Sequence, residues 1–259
     1  MTTDGSGTTG TTGEGRLWGG RFASGPDRAA WDLGRSIHFD ARLWPYDLSG
    51  SRAHADELQR LDLVTDDDHD AIVVALATIE EEFTDGTFAF LDDDEDLHGA
   101  VERRLIELCG AAGGRLRAGR SRNDQIVGDL RLYLADTIPV LTEQLRNIQT
   151  ALADQAEGAV DWLAPGFTHL QRAQPVTLAH HLLAHAWALD RDVARLADCR
   201  ARLLDFSPLG SGAMAGLTLP LDPQRYADAL GYTGVGPNSM DTVADRDFAV
   251  EFLSTTAMI

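Results

Sequence analysis

The sequence predicts an all-α protein built on a bundle of long helices. From Asn123 to about Glu157 the residues Ile126, Val127, Leu130, Leu134, Ile138, Leu141, Leu145, Ile148 and Leu152 keep a helical period well beyond the length of an ordinary globular helix. A second stretch repeats the pattern with Leu178, Leu182, Leu189, Val193, Leu196 and Leu203, and no segment alternates convincingly with the β period. Helices of this length bury their apolar faces against one another, which makes a bundle the expected architecture.

The elements follow in order. Residues 1–15, "MTTDGSGTTGTTGEG", have no basic or apolar leader character and read as a disordered polar tail. Residues 16–116 read as an N-terminal helical domain of shorter helices, with Leu58, Leu61, Ile72, Leu76 and Ile79 at helical spacing. Thr65 with Asp68 three residues on is a variant capping box for one of them. The acidic runs 66–70 and 92–96 read as helix starts and solvated faces, because they lack the alternation and glycine of a calcium loop. Residues 117–259 read as a central helical-bundle domain. Pro139 is expected to kink its first helix without ending it, and Pro175 to sit in the first turn of the second. A third helix is expected from near Asn238 and meets no stop signal before Ile259, which predicts that the chain is the N-terminal portion of a longer product, truncated before the end of the central bundle.

Composition narrows the function. The formal net charge is −19 in 259 residues, which argues against nucleic-acid and anionic-membrane surfaces, and no apolar run approaches membrane-spanning length. All 22 basic residues are arginine, so no Schiff-base lysine is available within the chain. Two isolated cysteines, Cys109 and Cys199, form neither a disulfide framework nor a zinc motif, and a reducing cytoplasm fits them.

Four segments place polar groups beside glycine at helix ends. In "AGRSRNDQ" (118–125) Ser121 or Asn123 would cap the long helix, and the two flanking arginines add bidentate carboxylate recognition at the positive end of a helix dipole. In "PGFTHLQRAQP" (165–175) Pro165-Gly166 would make a turn, placing His169 beside Thr168 within reach of a helix N-terminus, where an imidazole can transfer protons near neutral pH. "SPLGSGAMAG" (207–216) allows close backbone approach, to a ligand or simply to a neighbouring helix. "DEDLHGAVERRL" (94–105) opens a helix with Asp96 and His98.

Together with "LWGGRF" and "NSMDTVADRDF", these segments resemble the argininosuccinate lyase family in order and spacing, within the fumarase/aspartase superfamily that also includes the delta crystallins. The resemblance implies an elongated helical bundle, a cytoplasmic homotetramer with each active site built from three subunits, and β-elimination of argininosuccinate to arginine and fumarate in arginine biosynthesis, without cofactor or metal. It implies His169 as the catalytic histidine, with Thr168, Ser121, Arg122 and Asn123 against the substrate, and Ser36, Asp40 and Asp96 near its arginine end. Arg246 in the DRDF segment would serve a subunit contact. It also implies a glycine-serine loop followed by MPxKxNP, carrying the serine base and a lysine and an asparagine that grip the substrate. This sequence contains no such motif, so the 259-residue chain is expected to be inactive alone. The alternatives are a non-catalytic, crystallin-like structural homologue and a sister lyase that releases fumarate from another adduct.

Overall fold

The computed structural model describes residues 27–259; the tail and the "LWGGRF" segment lie outside them. Two short helices, α1 (Arg28–Gly34) and α2 (Ile37–Asp40), lead through a 3-10 turn (Ala41–Leu43) into α3 (Trp44–Arg60). Next come α4 (Asp66–Thr84), α5 (Leu97–Cys109) and α6 (Ala111–Arg115). Leu48, Leu58, Ile72, Leu76, Ile79, Leu97 and Leu105 are buried together as the core of this part.

The helix starts behave as side-chain chemistry dictates. Thr65 Oγ1 accepts from Asp68 N at 3.1 Å, but the Asp68 carboxylate does not return to close the box: it pairs with Arg115 at 2.6 Å. In the acidic run 92–96, Asp92 and Asp93 are exposed and Asp96 starts a helix as expected, and only Asp94 departs from the solvated role. Asp94 is buried, accepting from Arg103 Nη2 at 2.9 Å and from Leu91 N at 2.8 Å, while Asp96 caps α5 by accepting from Gly99 N at 2.6 Å.

The long helix α7 runs Arg122–Glu157 with Pro139 inside it, and α8 runs Leu178–Leu203. They are antiparallel. Gln149 donates to Ala186 O at 2.9 Å, Arg146 pairs with Asp190 at 2.9 Å, Arg200 donates to Ala135 O at 3.0 Å and Arg131 to Leu203 O at 3.2 Å, so partners descend α8 as they ascend α7. Val127, Leu134, Ile138, Leu145, Val193, Leu196, Cys199, Leu203 and Phe248 form the bundle core. Other apolar residues of the long stretches, such as Ile148 and Trp187, stay exposed on a second face.

The segment between α7 and α8 corrects the sequence expectation. Residues Leu163–Thr168 (β1) and Gln171–Thr177 (β2) form an antiparallel hairpin, with Pro165 opposite Pro175 and Thr168 opposite Gln171. Pro165 and Gly166 therefore lie in a strand and not in a turn. The turn is His169-Leu170, both with positive φ (50° and 61°), as a two-residue hairpin loop of primed geometry requires. Pro175 is likewise outside α8, whose N-cap is Thr177, accepting from His180 N at 3.1 Å. Proline survives in this ribbon because each strand is an edge. Alternation was illegible because in β1 the larger apolar side chains, Leu163 and Phe167, are exposed and only the small residues Ala164 and Gly166 are half-covered among the described residues.

After the loop 204–222 come α9 (Pro223–Leu230), α10 (Ser239–Ala244) and α11 (Asp247–Met258). The expected single helix from Asn238 is broken at Asp245. Its backbone is extended there, its Oδ1 recaps the chain by accepting from Asp247 N at 2.8 Å, and its Oδ2 accepts from Arg131. α11 then packs on α7 and α8, with Arg202 paired to Glu251. Among the described residues no helix is long and apolar enough to cross a membrane.

Candidate active site

The N-termini of α5 and α7 meet. Ser121 caps α7 by accepting from Asn123 N at 3.2 Å, and the next residue, Arg122, places Nε 3.3 Å from Asp96 Oδ2, the cap of α5. Asp40, at the end of α2, accepts from Leu97 N at 3.2 Å through Oδ1 and from Ser36 Oγ at 2.5 Å through Oδ2. Six predicted residues, Ser36, Asp40, Asp96, Ser121, Arg122 and Asn123, thus lie along one seam. Two helix dipoles and a guanidinium converge on it, an arrangement suited to a carboxylate. Burial pushes the Asp40 carboxyl up, against the Ser36 hydroxyl and the His98 charge that stabilise its anion.

The small-residue segment 207–216 closes over the same seam. Asn123 Nδ2 donates to Ala213 O at 2.9 Å, and Asp124 Oδ2 accepts from Gly210 N at 3.2 Å and Gly212 N at 2.8 Å. Gly212 has a φ of 64°, and a Cβ there would lie 2.8 Å from Gly216 O, so glycine is needed for this tight turn. Burial pushes the Asp124 carboxyl up to about 6 despite those two N–H donors.

Beneath the seam lies a buried polar cluster in which the sequence singled out His98 but not Asp47 or Asp129. His98 Nδ1 is 3.2 Å from Asp47 Oδ1 and 3.6 Å from Asp129 Oδ2, and Gln125 Nε2 donates to the same Asp47 oxygen. Arg120 approaches Asp47 at 3.6 Å and donates to Ser51 Oγ at 2.8 Å. Burial opposes every charge here, but His98, Arg120 and Arg122 hold the Asp47 carboxyl down to about 2, and the two carboxyl groups raise His98. Burial and the Asp47 charge push Asp129 up to about 8. Asp47, His98 and Asp129 offer ligand atoms within 4.8 Å of one another, but the guanidiniums of Arg120 and Arg122 already supply the positive charge a cation would bring. The cavity beside them, lined by Ser51, Arg120 and Gln125 among others, is ≈ 30 Å³, room for one or two waters and not for a substrate. One sequence signal was available: Gln125 and Asp129 are one turn apart, interleaved with the apolar row of α7.

Thr168 and His169 are elsewhere. Both are exposed at the hairpin tip, beyond the far end of α7, and neither side chain bonds to another segment among the described residues. The 36 residues of α7 span roughly 54 Å. A hairpin of this size could return at most about 20 Å of that. One chain therefore cannot bring His169 to Asn123. Arg246, expected at a subunit contact, donates to Val243 O at 2.9 Å and precedes α11.

A family model described as lyase matches residues 20–259. Argininosuccinate lyase 1 of Pseudomonas fluorescens is 51% identical over 244 residues, which are 94% of this chain and 51% of the relative. Argininosuccinate lyase of Acidothermus cellulolyticus is also 51% identical, over 94% of this chain and 50% of its own length. The chain thus spans about half the length of the curated relatives it matches. Among solved structures, EDDS lyase in complex with formate superposes with a TM-score of 0.73 at 28% identity, covering 88% of this chain and 44% of that one. A Brucella melitensis structure described as fumarate lyase:delta crystallin bound to cobalt gives 0.71 at 19% identity, covering 86% and 53%, and supports the fold alone. With a helical bundle of the fumarase/aspartase type and a family match over nearly all its length, the chain belongs to the lyase family, alongside relatives named argininosuccinate lyase.

Proposed function

We propose that this chain forms part of a cytoplasmic argininosuccinate lyase, which cleaves argininosuccinate to arginine and fumarate in arginine biosynthesis without cofactor or metal. One observation supports it above the others: the capped, arginine-bearing junction of α5 and α7, held by Ser36, Asp40, Asp96, Ser121, Arg122 and Asn123. Removing a proton beside a carboxylate builds a dianionic aci-carboxylate, and donors fixed before reaction stabilise it without reorganising. Ser121, Asn123 and Thr168 supply such donors in this reading. Arg122 binds a carboxylate, and His169 takes part in one proton transfer, directly or through a partner group.

The distance between the two site halves supports assembly. With Asn123 and His169 at opposite ends of α7, a working centre needs His169 from another copy, as in a homotetramer whose sites draw on three subunits. Val140, Ile148, Leu183, Trp187, Val250 and Leu253 are exposed on the bundle and suit such packing. The two larger apolar cores, one within residues 43–116 and one within 127–248, support a division into an N-terminal domain, 16–116, and a central bundle domain, 117–259, with Tyr133 packed on both and a small third core of Ala53, Leu209 and Tyr226 joining the two parts.

The test is fumarate release, followed by ultraviolet absorbance, from a protein of the relatives' full length that carries this chain. Argininosuccinate is expected to be cleaved, His169→Asn to slow the reaction strongly, and the 259-residue chain to show negligible turnover alone. No fumarate from the long protein would leave a crystallin-like structural role. Fumarate from another adduct alone would indicate a sister lyase.

A further inference from the structure

The buried cluster below the α7 N-terminus takes no part in the steps above, and its composition is expensive for a purely structural device. Desolvating several charges costs as much as their attraction returns, and apolar side chains of similar volume would hold the helices together equally well. Yet Asp47, His98 and Asp129 are each less than 5% exposed, and they lie directly under the turn that presents Ser121, Arg122 and Asn123. Asp47 comes from α3, His98 from α5 and Asp129 from α7, so the cluster ties together three helices at the seam.

The contacts run from cluster to seam without a gap. Asp47 accepts from Gln125, whose Oε1 accepts from Arg122 Nη1 at 3.5 Å, and Asp47 also draws in Arg120 at 3.6 Å. On the other side Asp96 holds Arg122 Nε at 3.3 Å while capping the helix that bears His98. We propose that Asp47, His98 and Asp129 are positioning residues which, through Gln125 and Arg120, fix Arg122 and the first turn of α7 in the orientation that receives the anionic end of the substrate; this rests on reading the seam as a lyase active site.

Charge points the same way. The groups facing His98 are Asp47, Asp129, Arg120 and Arg122, with Asp40 and Asp96 at the head of α5 and Glu102 and Arg117 across the small cavity. With Asp129 protonated, two carboxylates, Asp47 and Asp96, meet three cations, His98, Arg120 and Arg122, and the one positive charge in excess adds to the α7 dipole. Ionising Asp129 cancels that excess, so affinity for an anion weakens on the alkaline side.

The experiment uses the full-length protein with argininosuccinate. Asp47→Asn is expected to raise KM by about ten- to a hundredfold with a smaller change in kcat. Because the effect passes through Arg122, Asp47→Asn combined with Arg122→Lys should cost no more than Arg122→Lys alone. Should Asp47→Asn fail to fold, Asp129→Asn supplies the reading: the unsubstituted protein's KM rises above about pH 8, and this near-isosteric copy of the protonated acid flattens the rise. Additive costs in the double variant, or an alkaline rise of undiminished size in Asp129→Asn, would overturn the inference alone. No fumarate from the unsubstituted protein would remove the lyase reading and the inference with it.

Discussion

Asn123, in the first turn of α7, and His169, at the tip of the hairpin that follows it, are separated by a helix roughly 54 Å long. This relationship converts a set of site residues into a statement about assembly. If the two must meet one substrate, they come from different copies. Mixing full-length Asn123→Asp protein with His169→Asn protein, each expected to be nearly inactive, should therefore restore fumarate release after the subunits exchange, because some sites then receive both intact residues. Mixed samples that stay as inactive as the separate variants, despite demonstrated subunit exchange, would argue against a shared site.

Arg131 gives a stability prediction. Its side chain is buried, lies over the rings of Phe206 and Phe248 at 4.7 and 4.5 Å, donates to Leu203 O at 3.2 Å and pairs with Asp245. Arg131→Ala strips Asp245 of its partner and unpacks both rings at the joint of α7, α8 and α11. The expected cost is about 3–5 kcal/mol, the range for breaking a buried pair from one side. Asp245→Asn keeps a hydrogen-bond acceptor and should cost less. Denaturant titration measures both, and a loss under about 1 kcal/mol for Arg131→Ala would mean that the guanidinium is not the joint's anchor.

The bundle was legible in the sequence because α7 and α8 write their period over many turns, and a long amphipathic stripe has few other folds. The seam was legible because its residues sit at helix starts, where Ser121 and Asp96 are recognisable caps whatever they bind. The hairpin was not. Its residues Ala164 and Gly166 are half-covered while Leu163, Phe167 and Leu170 are exposed, so no apolar face alternates, and the prolines that suggested turn and helix start stand opposite each other in two edge strands. Asp47 and Asp129 were missed because a carboxylate in a helix ordinarily faces water; only the fold brings His98, 51 positions from Asp47, against them.

The raised carboxyls predict how stability responds to pH. Asp129 is pushed from 3.8 up to about 8 and Asp124 from 3.8 up to about 6 by burial. The folded state therefore binds these protons more tightly than the unfolded chain, and stability declines as pH rises from the unfolded value to the folded one. Above about pH 6 the Asp124 contribution is already lost, while that of Asp129 continues to fall until about pH 8. His98, raised above 6.5, loses stability in the same direction as it deprotonates. Asp129→Asn should flatten most of the decline between about pH 6 and 8 in denaturant melts. An unchanged slope would mean that Asp129 is ionised throughout that window.

The hairpin offers a local test that leaves the bundle alone. At Gly166 a Cβ would lie 2.5 Å from Gln174 O, a backbone atom that cannot swing aside, so Gly166→Ala must break the bulge between Pro165 and Phe167. Leu170, with φ 61° and full exposure, sits in a conformation that favours glycine, and Leu170→Gly should relieve about 1 kcal/mol of strain at the turn. Amide exchange across residues 163–177 should therefore speed up in Gly166→Ala and slow down in Leu170→Gly, while α7 and α8 keep their protection. The readout is local because the ribbon packs on the start of α8 and buries none of its large apolar side chains in the bundle core. If both variants exchange like the parent, the positive-φ turn is not what sets the hairpin's stability, and the position of His169 must be fixed by its contacts in the assembled protein.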